Sequence, residues 1–479
     1  MRILILFVII SLAFTIKAQV TFEAVIGTPT TNENVYYSFE RDNGNFILVG
    51  TKEALNTPSV SPYIIEISKE GVILKENFLQ DTSREFLYSY VLEFNSKLIV
   101  VGTLLSDYNT AIYDSIVISE LDSNLNIINN VQVFIDSNSL DNGSMFYAEI
   151  FSDSILFISG YGIKRSQYVH NSFVFSLDTN YSVVNKQIID LYQGIGDTRF
   201  YNFLFNKSDS HYYGYSPDGV CVLNADLTID TLFFTSLQVR KTFVSQIGTK
   251  KYMLGLLRDN SAIKLYSLNN QFDTLSSQII SINQNYTYPA AIRSLSSNIS
   301  YLYIGISDSI NPNDIWWGMQ NSKLLLTKID TLGNTLWIKS YGKDGYYYLL
   351  YDVLATEDGG CLLSGCRYDY LSNSYQKDIF IIKVDSNGTT TWIKNIELPQ
   401  IHVNLFPNPT SDFINLSIVS STKTIKEITI YNISGKQVLH QQINSQQTQL
   451  NVSSLASGIY IIEGYTQGGE VFREKFVVE

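Results

Sequence analysis

The chain has few of the residues that build compact chemical sites. Its 479 residues include three cysteines, four histidines and four methionines. Cys361 and Cys366 are five residues apart, so on one strand they would point to opposite faces and could not form a bridge. We expect all three cysteines to be small buried hydrophobic residues. His170 and His211 have no sequence neighbours at metal-ligand spacing, and we therefore predict no metal site built on cysteine or histidine.

Basic clusters and catalytic motifs are also absent. Lysine and arginine number 33 against 45 aspartate and glutamate residues, a net charge of -12. Because phosphate binding needs a concentrated basic face, we predict no nucleic-acid partner. No G-x-S-x-G, H-E-x-x-H or phosphate-binding loop occurs, and we assign no catalytic residue. A pair of carboxylates from distant segments, as in glycoside hydrolases, remains open.

One long apolar run stands at the N-terminus, in "MRILILFVIISLAFTIKAQV". The run is about 14 residues long, whereas a bilayer-spanning helix needs roughly 20. Arg2 supplies a positive charge before the run, and Ala18 supplies a small residue for cleavage before Gln19. We predict a secretory signal peptide over residues 1–18. No cysteine follows the run, so we predict no lipid attachment, and no other segment predicts a transmembrane span.

Aromatic and β-branched residues are abundant instead, and they recur periodically. Tyrosine (33) and phenylalanine (26) favour strands. "KIDTLGNTLWIK" (328–339) aligns without a gap with "KVDSNGTTTWIK" (383–394), and "ERDNGNFILVG" (40–50) aligns with "ATEDGGCLLSG" (355–365). Short apolar strands end in glycine at Gly50, Gly102, Gly160, Gly214, Gly255, Gly305 and Gly365. Each unit reads as a turn, a strand ending in glycine, a loop, a strand, a second Asp- or Asn-initiated turn and a final strand.

This arithmetic predicts an all-β fold. Four strands in a unit of about 52 residues, repeated about seven times, are typical of a β-propeller. We predict seven blades, with six or eight as alternatives, over residues 19–397. The last two units also resemble the propeller-like repeats of secreted proteins of Bacteroidota, through "DGG" (358–360) and the paired "W-x-K" segments.

Two local features suggest binding sites. Trp316 and Trp317 are adjacent in a lengthened loop of the sixth unit, where exposed aromatic rings could stack on sugars or anchor a protein; the alternative is that at least one is core. The oxygen-rich turns "DSNLN" (122–126) and "DSNG" (385–388) could bind calcium, although neither has the full ligand spacing. We predict no other cofactor.

Six Asp-Ser/Thr-aliphatic triplets form a further pattern. They resemble the O-glycosylation acceptor motif of Bacteroidota, which implies modification of the hydroxyl residue in each. The alternative is that these dipeptides are ordinary turn pairs. The six hydroxyl residues are Ser115, Ser154, Thr231, Thr274, Ser309 and Thr331.

The composition changes after residue 397. Residues 398–403 form a predicted linker, and "NLFPNP" (404–409) holds two prolines that favour an extended path. Alternating strands then predict a small Ig-like antiparallel β-sandwich over residues 404–479. The order of "NLFPNP", "IYNISGKQV" (430–438), "LASGIYII" (455–462) and "KFVV" (475–478) resembles the type A C-terminal sorting domain of the type IX secretion system of Bacteroidota. The matching motif residues are Pro407, Asn408, Pro409, Gly435, Gly458, Tyr460 and Lys475.

The resemblance implies an export route. A chain of this kind would cross the outer membrane through the type IX machinery, and a sortase-like peptidase would remove the domain and attach the remainder to surface lipopolysaccharide. The localisation would be the cell surface or the extracellular space.

For the propeller we predict a non-catalytic role in binding a glycan or a protein partner. The alternative is an extracellular polysaccharide-degrading hydrolase or lyase with its site at the propeller mouth. Two converging carboxylates would favour the enzyme, and a mouth lined by Tyr and Trp without paired acids would favour the binding protein. A structural component of the cell surface is a third alternative.

Overall fold

The computed structural model consists of β-strands in all of its described regular elements. It divides into two compact units, Met1–Asn395 and Ile396–Glu479. In the part of the chain that the structure describes, no helix is both long enough and apolar enough to cross a membrane. The described residues are 19–28, 31–54, 60–78, 85–107, 112–134, 142–152, 154–164, 169–189, 202–206, 210–215, 219–234, 239–247, 250–257, 263–269, 274–281, 289–293, 301–309, 322–330, 332–369, 376–390, 403–418, 424–432, 436–466 and 471–479.

The described residues of the first unit form seven four-stranded antiparallel sheets, which confirms the prediction of a seven-bladed propeller. The strands of the first four blades, each from the inner to the outer strand, are as follows: blade 1, β2 (Thr31–Glu40), β3 (Phe46–Ala54), β4 (Val60–Ile67) and β5 (Ile73–Phe78); blade 2, β6 (Glu85–Phe94), β7 (Lys97–Asp107), β8 (Ile112–Leu121) and β9 (Ile127–Phe134); blade 3, β10 (Asn142–Ser152), β11 (Ile155–Lys164), β12 (Val169–Leu177) and β13 (Val183–Ile189); blade 4, β14 (Asn202–Asn206), β15 (His211–Tyr215), β16 (Gly219–Leu223) and β17 (Ile229–Phe234).

The last three blades have the same order, except that blade 7 takes its outer strand from the N-terminus. Their strands are: blade 5, β18 (Val239–Ile247), β19 (Lys250–Leu257), β20 (Ile263–Leu268) and β21 (Thr274–Ser281); blade 6, β22 (Pro289–Arg293), β23 (Tyr301–Ser309), β24 (Ser322–Asp330) and β25 (Thr335–Tyr341); blade 7, β26 (Tyr346–Ala355), β27 (Cys361–Asp369), β28 (Asp378–Val384) and β1 (Phe22–Ile26).

The N-terminal strand closes the ring. β1 runs antiparallel to β28, with Phe22 opposite Lys383 and Ile26 opposite Ile379. The inner strand of each blade contacts the inner strand of the next, and β26 of blade 7 contacts β2 of blade 1. The repeat predicted a final strand after the turn at 385–388 as the outer strand of the seventh unit. That prediction is wrong for this blade, because β1 occupies the position beside β28; residues 391–402 lie outside the described part.

The strand-ending glycines allow a bulge in the neighbouring inner strand. In β2 the bulge lies between Val35, opposite Gly50, and Tyr37; in β26 it lies between Leu350, opposite Gly365, and Asp352. A Cβ on either glycine would overlap a backbone carbonyl of the bulged strand. Glycine at this register lets the inner strand bend and carry one extra residue.

Most of the core lies between blades rather than within one. One buried cluster joins Phe22, Phe46 and Ile65 to Leu362 and Ile381, so blades 1 and 7 share it. The three cysteines are buried and unbridged, as the sequence predicted, and burial raises the pKa of the Cys221 and Cys366 thiols to about 12.

The second unit is a two-sheet antiparallel sandwich, as predicted. A three-stranded sheet has the order β29-β30-β33, and a four-stranded sheet has the order β32-β31-β34-β35. The two sheets bury an aliphatic and aromatic core that includes Leu416, Ile430 and Phe476. The strands are β29 (Val403–Phe406), β30 (Phe413–Ile418), β31 (Ile425–Asn432), β32 (Gln437–Ser445), β33 (Gln447–Asn451), β34 (Gly458–Thr466) and β35 (Val471–Val478).

Candidate functional site

Four tyrosines meet where blade 7 closes on blade 1, and we call them the seam tyrosines: Tyr36, Tyr347, Tyr351 and Tyr368. Tyr36 and Tyr351 are the extra residues at the bulges of their inner strands. Their ring centroids are 5.2 Å apart at an interplanar angle of 79°, and the rings of Tyr347 and Tyr368 are 5.1 Å apart. The Tyr351 side chain is 37% exposed. The edge-to-face contact fixes one ring while leaving part of it open to solvent.

Neutral polar groups surround this aromatic pair. The Tyr36 hydroxyl lies 3.2 Å from Thr51 Oγ1, and Asn34 Nδ2 donates to the same oxygen at 3.4 Å. Burial raises the pKa of Tyr351, and the nearby thiol of Cys366 and phenol of Tyr36 raise it further. The Tyr351 hydroxyl therefore stays protonated across the physiological range and can both donate and accept a hydrogen bond.

The acidic residue next to Tyr351 serves the fold. Asp352 is 3% exposed, and its Oδ2 accepts a hydrogen bond from the backbone N of Ser38 in blade 1 at 2.7 Å. The hydroxyls of Ser38 and Ser364 lie 2.7 Å apart across the same seam. Asp352 is thus tied to the neighbouring blade, whereas a glycosidase acid needs access to a substrate.

A second polar group lies at the other end of this seam, and the sequence did not reveal it. Glu40 Oε2 accepts a hydrogen bond from the backbone N of Glu357 at 2.8 Å. Burial raises the pKa of Glu40 to about 7, the charges of Asp358 and Glu357 add to the rise, and the Glu357 hydrogen bond and Lys383 oppose it. The only sequence signal was an acidic residue before a turn, which is common in this chain.

Lys383 and Gln19 hold the same region together. Lys383 Nζ donates to both carboxylate oxygens of Asp358, at 3.0 and 2.8 Å. Gln19 Nε2 donates to the carbonyl of Asp358, and Gln19 Oε1 accepts from the backbone N of Ser386 at 2.8 Å. Burial raises the pKa of Asp358, but the Lys383 charge and the hydrogen bonds together bring it below its usual value. These contacts secure β1 in blade 7.

The predicted calcium turns use their carboxylates internally. Asp122 Oδ1 accepts from the backbone N of Asn124 and of Asn126, both at 2.8 Å. Asp385 Oδ1 accepts from the backbone N of Asn387 at 2.9 Å and of Thr389 at 2.7 Å. In the described residues no group of three or more His, Cys, Asp or Glu side chains could hold a metal ion.

The other predicted residues divide by accessibility. Trp316, Trp317 and Thr331 lie outside the described residues, and for Ser309 only the strand position in β23 is described. Ser115 is completely buried and accepts a hydrogen bond from Gln132 Nε2 at 2.7 Å. Thr231 is half-buried and donates to Asp230 at 2.9 Å, whereas Ser154 and Thr274 are exposed.

The sorting motif clamps the C-terminal strand of the sandwich. The exposed Pro407-Asn408-Pro409 segment, with cis peptide bonds before both prolines, lies beside β35. Asn408 Oδ1 accepts from Val477 N at 2.9 Å, and its Nδ2 donates to the carbonyl of Lys475 at 3.2 Å. The amide thus satisfies two backbone groups at the edge of the sheet, where Thr410 also pairs with β35. Gly435 lies outside the described residues.

Tyr460, in the third motif, belongs to the core. Its ring stacks on Phe476 with a centroid distance of 5.7 Å, and its hydroxyl donates to the carbonyl of Ala456 at 2.8 Å. Gly458, two residues earlier, begins β34. The motif therefore fixes the entry of this strand into the sandwich.

Residues 404–479 match the family described as the secretion system C-terminal sorting domain. No curated protein shows significant similarity to the chain. Many solved structures are similar to it, among them the following three. A protein of unknown function from Bacteroides caccae shares 14% identity over 65% of this chain and 94% of its own, with a TM-score of 0.39.

The second is the extracellular domain of a putative hybrid two-component system from B. thetaiotaomicron, with 11% identity over 95% of this chain and a TM-score of 0.46. This chain spans 58% of the length of that structure. The third is the endosialidase of phage phi92, with 10% identity over 96% of this chain, 87% of its own length and a TM-score of 0.45.

Fold and motif together define a class: a secreted β-propeller protein that carries a C-terminal address domain. Residues 404–479 belong to the family of type IX secretion system C-terminal sorting domains. The chain is therefore exported to the cell surface or the extracellular space, and its C-terminal unit interacts with the secretion machinery.

Proposed function

We propose that the propeller is a non-catalytic receptor that binds a glycan at the seam tyrosines. The observation that carries the proposal is the partly exposed ring of Tyr351, held edge-on by Tyr36 at the inner strands of the closing seam. An aromatic face of fixed orientation stacks on a sugar ring, and the hydroxyl of the half-buried Tyr36 beside it exchanges hydrogen bonds with sugar hydroxyls.

The surroundings favour binding over hydrolysis. Glycoside hydrolysis uses two carboxyl groups about 5 to 10 Å apart. Asp352, the acid adjacent to Tyr351, accepts a hydrogen bond from the backbone of blade 1 through its Oδ2 and is 3% exposed. Glu40 is the last of the ten residues of β2 while Tyr36 lies near the middle of that strand, so Glu40 is not part of the aromatic group.

A glycan array with the purified full-length protein tests the proposal. We expect Tyr351→Ala to weaken binding about tenfold, or about 1.4 kcal/mol, and Tyr351→Phe to weaken it less, because the phenyl ring still stacks. Leu336→Ala, at a 53% exposed position on the outer strand of blade 6, is the matched control. Unchanged binding by Tyr351→Ala would remove the seam tyrosines from the site. Release of new reducing ends from the bound glycan would instead show that the propeller is a polysaccharide-degrading enzyme.

The sorting domain also motivates a proposal about the mature form. We propose that the propeller spans residues 19–397, that 398–403 is a linker, and that a sortase-like peptidase cuts near it and joins the passenger to surface lipopolysaccharide. Peptide mass spectrometry of washed cells and medium should recover peptides from 20–397 and none from 404–479. An intact sorting domain on the surface protein would contradict this processing.

The same spectra test glycosylation. We propose Ser154 and Thr274 as acceptors, because both are exposed in the folded propeller, whereas Ser115 is fully buried. A mass addition on the Ser154 or Thr274 peptide but not on the Ser115 peptide is the expected pattern. Unmodified peptides at both exposed positions would leave these triplets as ordinary turn pairs.

A further inference from the structure

One end of the sorting domain's four-stranded sheet carries aliphatic side chains on its outer face. Along β34, Tyr460 and Ile462 are buried in the core, while Ile459 is 47% and Ile461 is 42% exposed. Across the sheet Ile459 pairs with Val477. The opposite neighbour of Ile461 on β31 is Tyr431, which is half-buried. These residues, Tyr431, Ile459, Ile461 and Val477, form what we call the outer patch.

The fold does not require this patch. Side chains alternate between the two faces of a strand, and the inward positions already fill the core with Tyr460, Ile462 and Phe476. Toward the other end of the same face the described outward side chains are polar, and Gln442 Nε2 donates to Glu427 Oε2 at 2.6 Å. Among the described side chains of this sheet, exposed apolar groups are thus confined to one end, which is typical of an interaction surface.

The outer patch is continuous with the exposed sorting motif. Val477, a member of the patch, donates its backbone N to Asn408 Oδ1, and the neighbouring Lys475 carbonyl accepts from Asn408 Nδ2. Pro407, Asn408 and Pro409 are all exposed along that edge of the sheet. The motif segment and the patch therefore present one surface, apolar at its centre and bordered by the exposed Lys475 side chain.

We propose that the outer patch is the surface by which the sorting domain docks onto the secretion machinery. The occupant follows from the domain itself, because the machinery is the partner that a sorting domain addresses. Burying two adjacent isoleucines supplies a hydrophobic centre for the contact, and the polar border made by Asn408 and Lys475 supplies orientation.

The test compares two faces of the same domain in the full chain, expressed in its own cells. The double variant Ile459→Thr with Ile461→Thr keeps β-branched residues and leaves the core unchanged. Phe413→Thr, at a 46% exposed position on the opposite sheet, is the matched control. We expect the double variant to reach the surface and medium at least tenfold less than the unchanged chain and to accumulate in the periplasm, while the control is exported normally.

A second measurement separates docking from folding. A photo-crosslinking residue replaces Ile461 in one protein and Phe413 in another. We expect the residue at 461, and not the one at 413, to capture an outer-membrane component of the machinery. Normal export of the double variant would overturn the proposal, as would capture at 461 of a second copy of this chain alone.

Discussion

Blades 2 to 4 and blades 1, 6 and 7 build the same turn in two different ways. In blades 2 to 4 the fourth residue of the turn is large and has a positive φ: Leu125 at 65°, Tyr181 at 62° and Leu227 at 68°. In blades 1, 6 and 7 that position is glycine: Gly71 at 86°, Gly333 at 91° and Gly388 at 71°. The backbone hydrogen bonds are the same, as in Leu125 N to Asp122 O at 3.0 Å and Gly388 N to Asp385 O at 2.9 Å.

The difference lies in which blade fills the space between neighbours. Leu125 packs among residues of blade 1, and the Tyr181 ring lies 6.2 Å from that of Phe94 in blade 2. Where the turn has glycine, the preceding blade reaches forward instead. A Cβ on Gly71 would come within 2.5 Å of Phe22, and one on Gly388 within 2.8 Å of Trp337. Each of the six described interfaces holds one large side chain at this point, supplied from one side or the other.

The largest expected effect comes from a variant in which both neighbouring blades place a side chain in the same space between them. Gly71→Ala should destabilise the propeller by about 4 kcal/mol, because it adds the cost of a positive φ to a clash with Phe22 in the closing strand. Gly44 is the matched control, since its φ is 81° but its nearest atoms are 3.8 Å from the added Cβ.

Calorimetric unfolding of the full-length variants measures the difference. Gly44→Ala should cost only about 1 to 2 kcal/mol, the backbone share alone. Equal losses of stability in the two variants would mean that Phe22 moves aside without cost. Filling the space from both blades would then not affect stability.

A variant in which neither blade fills this space should lose slightly less stability. Leu125→Ala empties a completely buried position and should destabilise the propeller by about 3 kcal/mol. Ile128→Ala, in the same blade at 63% exposure, should change stability by less than about 0.5 kcal/mol. A Leu125→Ala protein as stable as the Ile128→Ala protein would show that the αL residue is not part of the interface.

The sequence predicts the turns better than their packing. Asp122 announces its turn because an Asx side chain caps the backbone two residues ahead, a local effect. The positive φ of Leu125 was not predicted, because its compensation is burial against another blade. The pairing of the closing strand β1 was not predicted for the same reason, because its partner strand lies more than three hundred residues away. The seam tyrosines depend on bulges in the inner strands, which the sequence did not reveal, whereas the sorting domain rests on local motifs and its bounds of 404–479 were predicted.

A smaller effect should follow from loosening one supplied side chain without emptying its space. The Tyr181 hydroxyl donates to Glu120 Oε1 at 2.8 Å, and Lys97 Nζ contacts the same oxygen at 2.6 Å. Tyr181→Phe should cost about 1.5 kcal/mol at pH 7, the worth of a hydrogen bond to a charged acceptor.

The pH dependence identifies that bond. Burial raises the pKa of Glu120, but the hydrogen bonds of Lys97 and Tyr181 bring it below 4.5, so its contribution is present above about pH 4.5 and lost as the pH falls through the folded value. The Tyr181→Phe penalty should therefore shrink at pH 3.5 in the same calorimetric series. A penalty that does not change with pH would assign the loss to packing against Phe94.

The smallest expected effect tests whether the closing seam, which borrows Phe22 from the N-terminus, also carries an electrostatic cost. Glu40 has its pKa raised from 4.5 to about 7, chiefly by burial. Its folded state binds the proton more tightly than the unfolded state, so its contribution is fully present below about pH 4.5 and is lost as the pH rises through 7.

Glu40→Gln keeps an acceptor for Glu357 N and removes the charge. The variant should match the unchanged protein at pH 4.5 and exceed it by about 1 kcal/mol at pH 8, less than full linkage because the side chain is only half-buried. Glu70→Gln, at an exposed turn in blade 1, is the control and should show no such difference between pH 4.5 and pH 8. If both variants behave alike, burial of Glu40 does not reduce the stability of the closed ring. The seam would then differ from the other interfaces only in which strand supplies its aromatic side chain.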